Sequence, residues 1–77
     1  MSDITVYGAT GLVGQLVARY LASINAPSVT LAGRNRPVLA ALRDELNPHW
    51  DIAIAAADDA DAVERMVEGT KVLITVV

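Results

Sequence analysis

Residues Gly8-Ala9-Thr10-Gly11-Leu12-Val13-Gly14 space three glycines at intervals of three, between a β-branched run and an amphipathic one. That spacing suits a chain that must turn sharply and then present bare backbone to an anion. Gly8 supplies the turn and Gly11 lets the backbone approach a phosphate with no side chain in the way. Gly14 allows the following helix to pack closely on the strand. The N–H groups from Thr10 to Val13 then point at the anion, aided by the positive end of the helix dipole. The Thr10 hydroxyl adds a donor. Gly8, Thr10, Gly11, Leu12 and Val13 are therefore expected to hold the pyrophosphate of a dinucleotide. The plainer alternative is a tight turn that binds nothing.

A second signal lies about 20 residues beyond the glycines, where an acid ordinarily accepts from the ribose 2′-hydroxyl of NAD. This sequence instead has Gly33-Arg34-Asn35, and no acid occurs between Asp3 and Asp44. A guanidinium at Arg34 can pair with a 2′-phosphate and stack on adenine, with Arg36 assisting. The expected cofactor is NADP, with NAD the weaker alternative; an arginine there can also be merely solvated. A third signal is Asp58-Asp59, placed where a carboxylate could accept from the adenine amino group. Capping of a following helix would select the same acids without any ligand.

Nothing in the sequence assembles a catalytic site. Neither Tyr7 nor Tyr20 has Lys four positions on, no cysteine is present, and a lone His49 cannot form a histidine-rich metal site. No catalytic residue and no metal ligand are expected. His49 and Trp50 read as turn and packing residues.

The elements that must position these groups follow from periodicity. Ile4–Tyr7 reads as a strand ending at Gly8. Val13, Leu16, Val17, Tyr20, Leu21 and Ile24 mark one apolar helix face, stopped by Asn25 and Pro27. Ser28–Ala32 is a second strand, closed by Gly33. Pro37 sits at the start of a second helix, whose stripe is Val38, Leu39, Leu42 and Leu46. Trp50–Ala56 reads as a third strand. A third helix, capped by Asp58 or Asp59, turns Val63, Met66 and Val67 inward and stops at Gly69. Lys71–Val77 is a fourth strand, apolar on both faces as a buried parallel strand should be.

This βαβαβαβ order predicts an α/β fold: a partial Rossmann fold with a four-stranded parallel sheet, order 3-2-1-4, and three crossover helices. Residues 1–77 form one dinucleotide-binding unit, the amino-terminal half of such a domain. The fourth strand would leave a bare hydrophobic edge, so a homo-oligomer or the remainder of a larger chain is expected to cover Val72, Ile74 and Val76.

Composition sets the outer limits. The chain has 77 residues, a formal net charge of −3 and six scattered basic residues. Mild acidity disfavours nucleic acid as a partner. No apolar stretch approaches the ~20 residues of a membrane helix. The absence of a secretion signal points to the cytoplasm.

Together, Val6-Tyr7-Gly8-Ala9-Thr10-Gly11-Leu12-Val13-Gly14, Leu31-Ala32-Gly33-Arg34-Asn35 and Ala56-Ala57-Asp58-Asp59 resemble the amino-terminal part of saccharopine-dehydrogenase-like oxidoreductases, a group that includes trans-acting enoyl reductases. The first block is shared with atypical short-chain reductases and NmrA-like proteins. The resemblance implies pyrophosphate contacts at Gly8–Val13, a 2′-phosphate contact at Arg34 and Asn35, and an adenine-side contact near Asp58. It also implies that hydride transfer belongs to later parts of a longer protein. The expected function is an NADP(H)-binding segment of an oxidoreductase. The alternatives are an NmrA-like redox sensor without turnover and a non-binding α/β unit that self-associates.

Overall fold

The computed structural model describes residues 2–54, 61, 64–65 and 68–75. Four strands, β1 (Ser2–Tyr7), β2 (Val29–Gly33), β3 (Asp51–Ile54) and β4 (Thr70–Thr75), form one sheet in the order β3-β2-β1-β4. Every pairing is parallel, with Val6 opposite Leu31 on one side and Ile74 on the other. Helices α1 (Leu12–Ser23) and α2 (Arg36–Leu46) connect β1 to β2 and β2 to β3. The expected sheet and strand order are thus observed. Of the third crossover helix, the described residues Asp61, Glu64, Arg65 and Glu68 are helical and exposed. The Gly69 N–H donates to the Arg65 carbonyl, where a terminator was expected. Val63, Met66 and Val67 lie outside the described residues.

Both α1 and α2 cover the same face of the sheet, because Ala18 and Leu21 share one core cluster with Leu39, Leu42, Val6, Val29 and Leu31. The end of α1 is fixed by local chemistry. Asn25 takes a left-handed φ of 57°, its N–H donates to the Ala22 carbonyl, and the Ala26 N–H reaches back to Leu21. That pair of bonds is a Schellman ending, in which asparagine takes the place usually held by glycine. Trp50 then locks the junction. Its ring is 2% exposed, and the indole Nε1–H donates to the Ala26 carbonyl at 2.9 Å. The expected packing role of Trp50 holds, and His49 is exposed in the preceding turn.

Two expectations about burial are corrected. The face of α1 that meets the sheet is Gly14, Ala18 and Leu21, not the full stripe of large side chains. Val13, Leu16, Tyr20 and Ile24 are all more than half exposed. Apolarity alone could not choose between the two sides of this helix. Small residues decide it, because they let the helix axis come close to the strands. The exposed stripe looks outward and over the flank away from α2, since Arg19 on the other flank pairs with Glu45 of α2 at 3.1 Å.

Strand β4 is the second correction. It was expected to be buried on both faces, yet Lys71, Val72 and Thr75 are exposed and Leu73 and Ile74 only half-buried. Val72 and Ile74 pair with Ile4 and Val6. Paired parallel residues point the same way, so both face the helix-covered side. No described helix lies over β4 there. The α1 stripe and the helix-side face of β4 both leave large apolar side chains open.

Candidate cofactor site

The site begins where β1 ends. Gly8 has φ of 86°, a conformation that strains residues with a Cβ. This turn lets the Gly8 and Ala9 N–H groups both donate to the Ala32 carbonyl, at 3.0 and 3.3 Å. The first loop is thereby tied to the end of β2. Gly11 caps α1 with extended backbone and no side-chain bond, and the first helical bond runs from the Gln15 N–H to the Gly11 carbonyl at 2.9 Å.

That geometry revises the expected donor set. The Gly11 N–H is used inside the turn, donating to the Gly8 carbonyl at 3.0 Å. Leu12, Val13 and Gly14 occupy the first helical turn, whose N–H groups have no intrahelical acceptor. Theirs are the donors left open to an anion, as at other helix N-termini. The side chains of Leu12 and Val13 contribute nothing to the cleft. They are 79% and 56% exposed and point elsewhere.

The three glycines are unequal in what the fold asks of them. A Cβ on Gly14 would lie 2.8 Å from the Ala9 Cα and closer still to the Gly8 carbonyl oxygen, so the fold itself requires glycine. A Cβ on Gly11 would meet only the Gly8 oxygen, at an ordinary 3.4 Å, and Gly11 has an unremarkable φ of −75°. Nothing on the protein side demands glycine at position 11.

The second wall follows β2. Gly33 is buried, Arg34 to Pro37 are exposed, and Asn35 caps α2 by accepting from the Val38 N–H at 3.3 Å. The cap uses the carboxamide oxygen of Asn35 and leaves its NH₂ group uncommitted to the helix. Gly8, Thr10 and Gly11 face Arg34, Asn35 and Arg36 across an open cleft of about 950 Å³, with Tyr7 and Gly33 at its base. It lies at the carboxyl ends of β1 and β2, where open α/β sheets place their ligands.

Charge completes the description. The N-cap of α1, Gly11, and the start of α2, Arg36 and Pro37, border the cleft, so the positive ends of two helix dipoles lie beside it. Among the described residues, the ion pairs join Arg19 to Glu45, Arg43 to Asp44 and Lys71 to Asp3. None involves Arg34 or Arg36. Both residues line the cleft, and neither has an acidic partner among the described residues. The described residues contain no cluster of His, Asp and Glu able to hold a metal ion.

Seven of the eight anticipated cofactor residues are described: Gly8, Thr10, Gly11, Arg34 and Asn35 line the cleft, and Leu12 and Val13 open α1 directly after Gly11. Asp58 lies outside the described residues. Sequence reasoning missed Gln15, whose Nε2 donates to the Thr10 carbonyl at 3.1 Å. Its position, one residue past the last glycine and one turn from Thr10, was the available signal.

Comparison with known proteins gives the family and supports the fold. The family model described as the saccharopine dehydrogenase NADP binding domain matches residues 4–77. The chain belongs to this family. It is 35% identical over 79 aligned residues to a trans-acting enoyl reductase of Mycobacterium ulcerans and 37% identical to one of Mycobacterium leprae. Each match covers 97% of this chain and 19% of the relative. The chain therefore spans about a fifth of the length of these curated relatives. A short chain dehydrogenase from Bacillus anthracis shares the fold, with a TM-score of 0.71 over 87% of this chain and 29% of that one, at 18% identity. The domain is an NADP-binding domain with a Rossmann-type sheet.

Proposed function

We propose that this chain holds the ADP portion of NADP(H) for an oxidoreductase and leaves the nicotinamide to be presented elsewhere in a longer polypeptide. The observation that carries the reading is that Arg34 and Arg36, which pair with no acid among the described residues, line one cleft with the glycine loop. The first-turn N–H groups of α1 take the pyrophosphate, and Thr10 adds its hydroxyl. Arg34 takes the 2′-phosphate, a charge-assisted contact that a planar guanidinium makes in bidentate form. Arg36 and the Asn35 NH₂ group stand beside it, and Asp58 is assigned to the adenine side. Bound NADPH supplies a hydride; this chain supplies orientation and charge.

The printed names of the relatives suggest enoyl reduction as the reaction class of the whole protein. No helix among the described residues is long and apolar enough to cross a membrane, and the cytoplasm is the proposed setting.

Titration with 2′-phospho-ADP-ribose and with NADP⁺ tests the division of labour. Similar affinity for both supports a site built for the ADP half. Affinity for NADP⁺ alone would contradict it.

A second reading concerns assembly, and the open apolar surface favours it. Leu16, Tyr20 and Ile24 of α1 and Val72 of β4 each keep more than half of their surface in water. Covering a large apolar side chain is worth roughly 1.5–3 kcal/mol. On its own, the chain reduces this exposure by self-association; within a longer polypeptide, further segments cover the same surface.

A further inference from the structure

The Gly8 and Ala9 N–H groups tie the start of the glycine loop to β2, but side chains do little to hold the rest of it. Between Gly8 and Gly11, only Thr10 carries a side chain larger than a methyl group, and Gly11 caps α1 without a side-chain bond. The peptide plane joining Thr10 to Gly11 is nevertheless fixed at both ends. Its N–H donates to the Gly8 carbonyl at 3.0 Å, and its carbonyl accepts from Gln15 Nε2 at 3.1 Å. Gln15 is itself half-buried and anchored by the first backbone bond of the helix. We infer that Gln15 is a positioning residue for the pyrophosphate half of the cofactor site, acting through the Thr10–Gly11 peptide and touching no ligand atom itself.

The physical reason lies in where the donors are. Leu12, Val13 and Gly14 follow directly on this peptide, so any rocking of its plane swings the N–H groups of the first turn. A carbonyl left without its donor can also rotate toward water and loosen the turn. The ends of β1 and β2 and the Arg34 side of the cleft do not depend on this bond. Gln15 therefore bears on one half of the site only.

This inference rests on the cofactor reading above, and the experiment separates the two. NADP⁺ and 2′-AMP, which carries the 2′-phosphate but no pyrophosphate, are titrated into the unaltered chain and into Gln15→Met. Methionine keeps the length and shape of glutamine but cannot donate. The expected result is an NADP⁺ affinity about three- to tenfold weaker in Gln15→Met, the size of one net hydrogen bond, with 2′-AMP affinity unchanged. Equal NADP⁺ affinity in the two proteins would overturn the inference. So would parallel loss for both ligands, which marks a general structural role. An unaltered chain that binds neither ligand removes the cofactor reading itself, and this inference with it. If Gln15→Met does not fold, the Gln15 carboxamide resonances of the unaltered chain decide. They should shift with NADP⁺ and stay fixed with 2′-AMP; indifference to both overturns the role.

Discussion

Gly14 lies against Gly8 so closely that a methyl group on Gly14 would overlap the Gly8 carbonyl. The contact joins the first turn of α1 to the end of β1 and sets how near the helix comes to the sheet. In an ordinary helix, replacing glycine by alanine gains about 1 kcal/mol. Here the obstacle is backbone, which cannot rotate away as a side chain can. Gly14→Ala should therefore destabilise the fold by about 2 kcal/mol or more, seen as a lower midpoint in thermal unfolding by circular dichroism. A midpoint equal to or above that of the parent would show that the helix can shift without cost.

Arg34 should act on one phosphate only. Arg34→Ala is expected to weaken NADP⁺ binding about ten- to hundredfold, the range for a charge-assisted hydrogen bond to a phosphate. NAD⁺ binding should not change. Arg34→Lys should fall between, because an ammonium keeps the charge but loses the bidentate geometry. Calorimetric titration of the three proteins measures this directly, and equal losses for NADP⁺ and NAD⁺ would remove the assignment.

Trp50 offers a test of the core that leaves the cleft alone. Trp50→Phe keeps most of the ring but deprives the Ala26 carbonyl of its indole donor. A destabilisation of about 1–3 kcal/mol is expected, with the NADP⁺ affinity of the folded protein unchanged.

The sequence made some features legible and hid others for definite reasons. Alternating strand and helix signals gave a parallel sheet with right-handed crossovers, and the Rossmann pattern gave its β3-β2-β1-β4 order. Gly8 and Gly14 were readable as turn and packing residues, since their backbone demands are local. The orientation of α1 was not readable: Val13, Leu16 and Tyr20 look like a core stripe, yet Gly14 and Ala18 permit the closer approach and take that place. The burial of β4 was misjudged because a strand's composition reflects everything that will cover it, and here α1 and α2 leave its helix-side face open. Gln15 was missed because its place one residue past the last glycine does not by itself show that its side chain turns back to a loop carbonyl.

The exposed stripe leads to a further expectation. Sedimentation velocity of the unaltered chain should show association that rises with concentration. The double substitution Leu16→Glu, Tyr20→Glu should abolish it, by placing charge on the exposed apolar stripe of α1. Neither residue lines the cleft, so NADP⁺ binding should survive. A strictly monomeric parent would contradict the self-association reading.

The central claim is that Arg34 and the glycine loop form one NADP(H) site. Parallel titrations of NADP⁺ and NAD⁺, followed by backbone amide resonances, test it most directly. Shifts are expected at Gly8–Val13 and at Arg34 with NADP⁺, and much weaker ones with NAD⁺. Equal responses to the two nucleotides would leave the glycine loop its phosphate role and contradict the role of Arg34. A well-dispersed spectrum that neither nucleotide moves would contradict the claim as a whole.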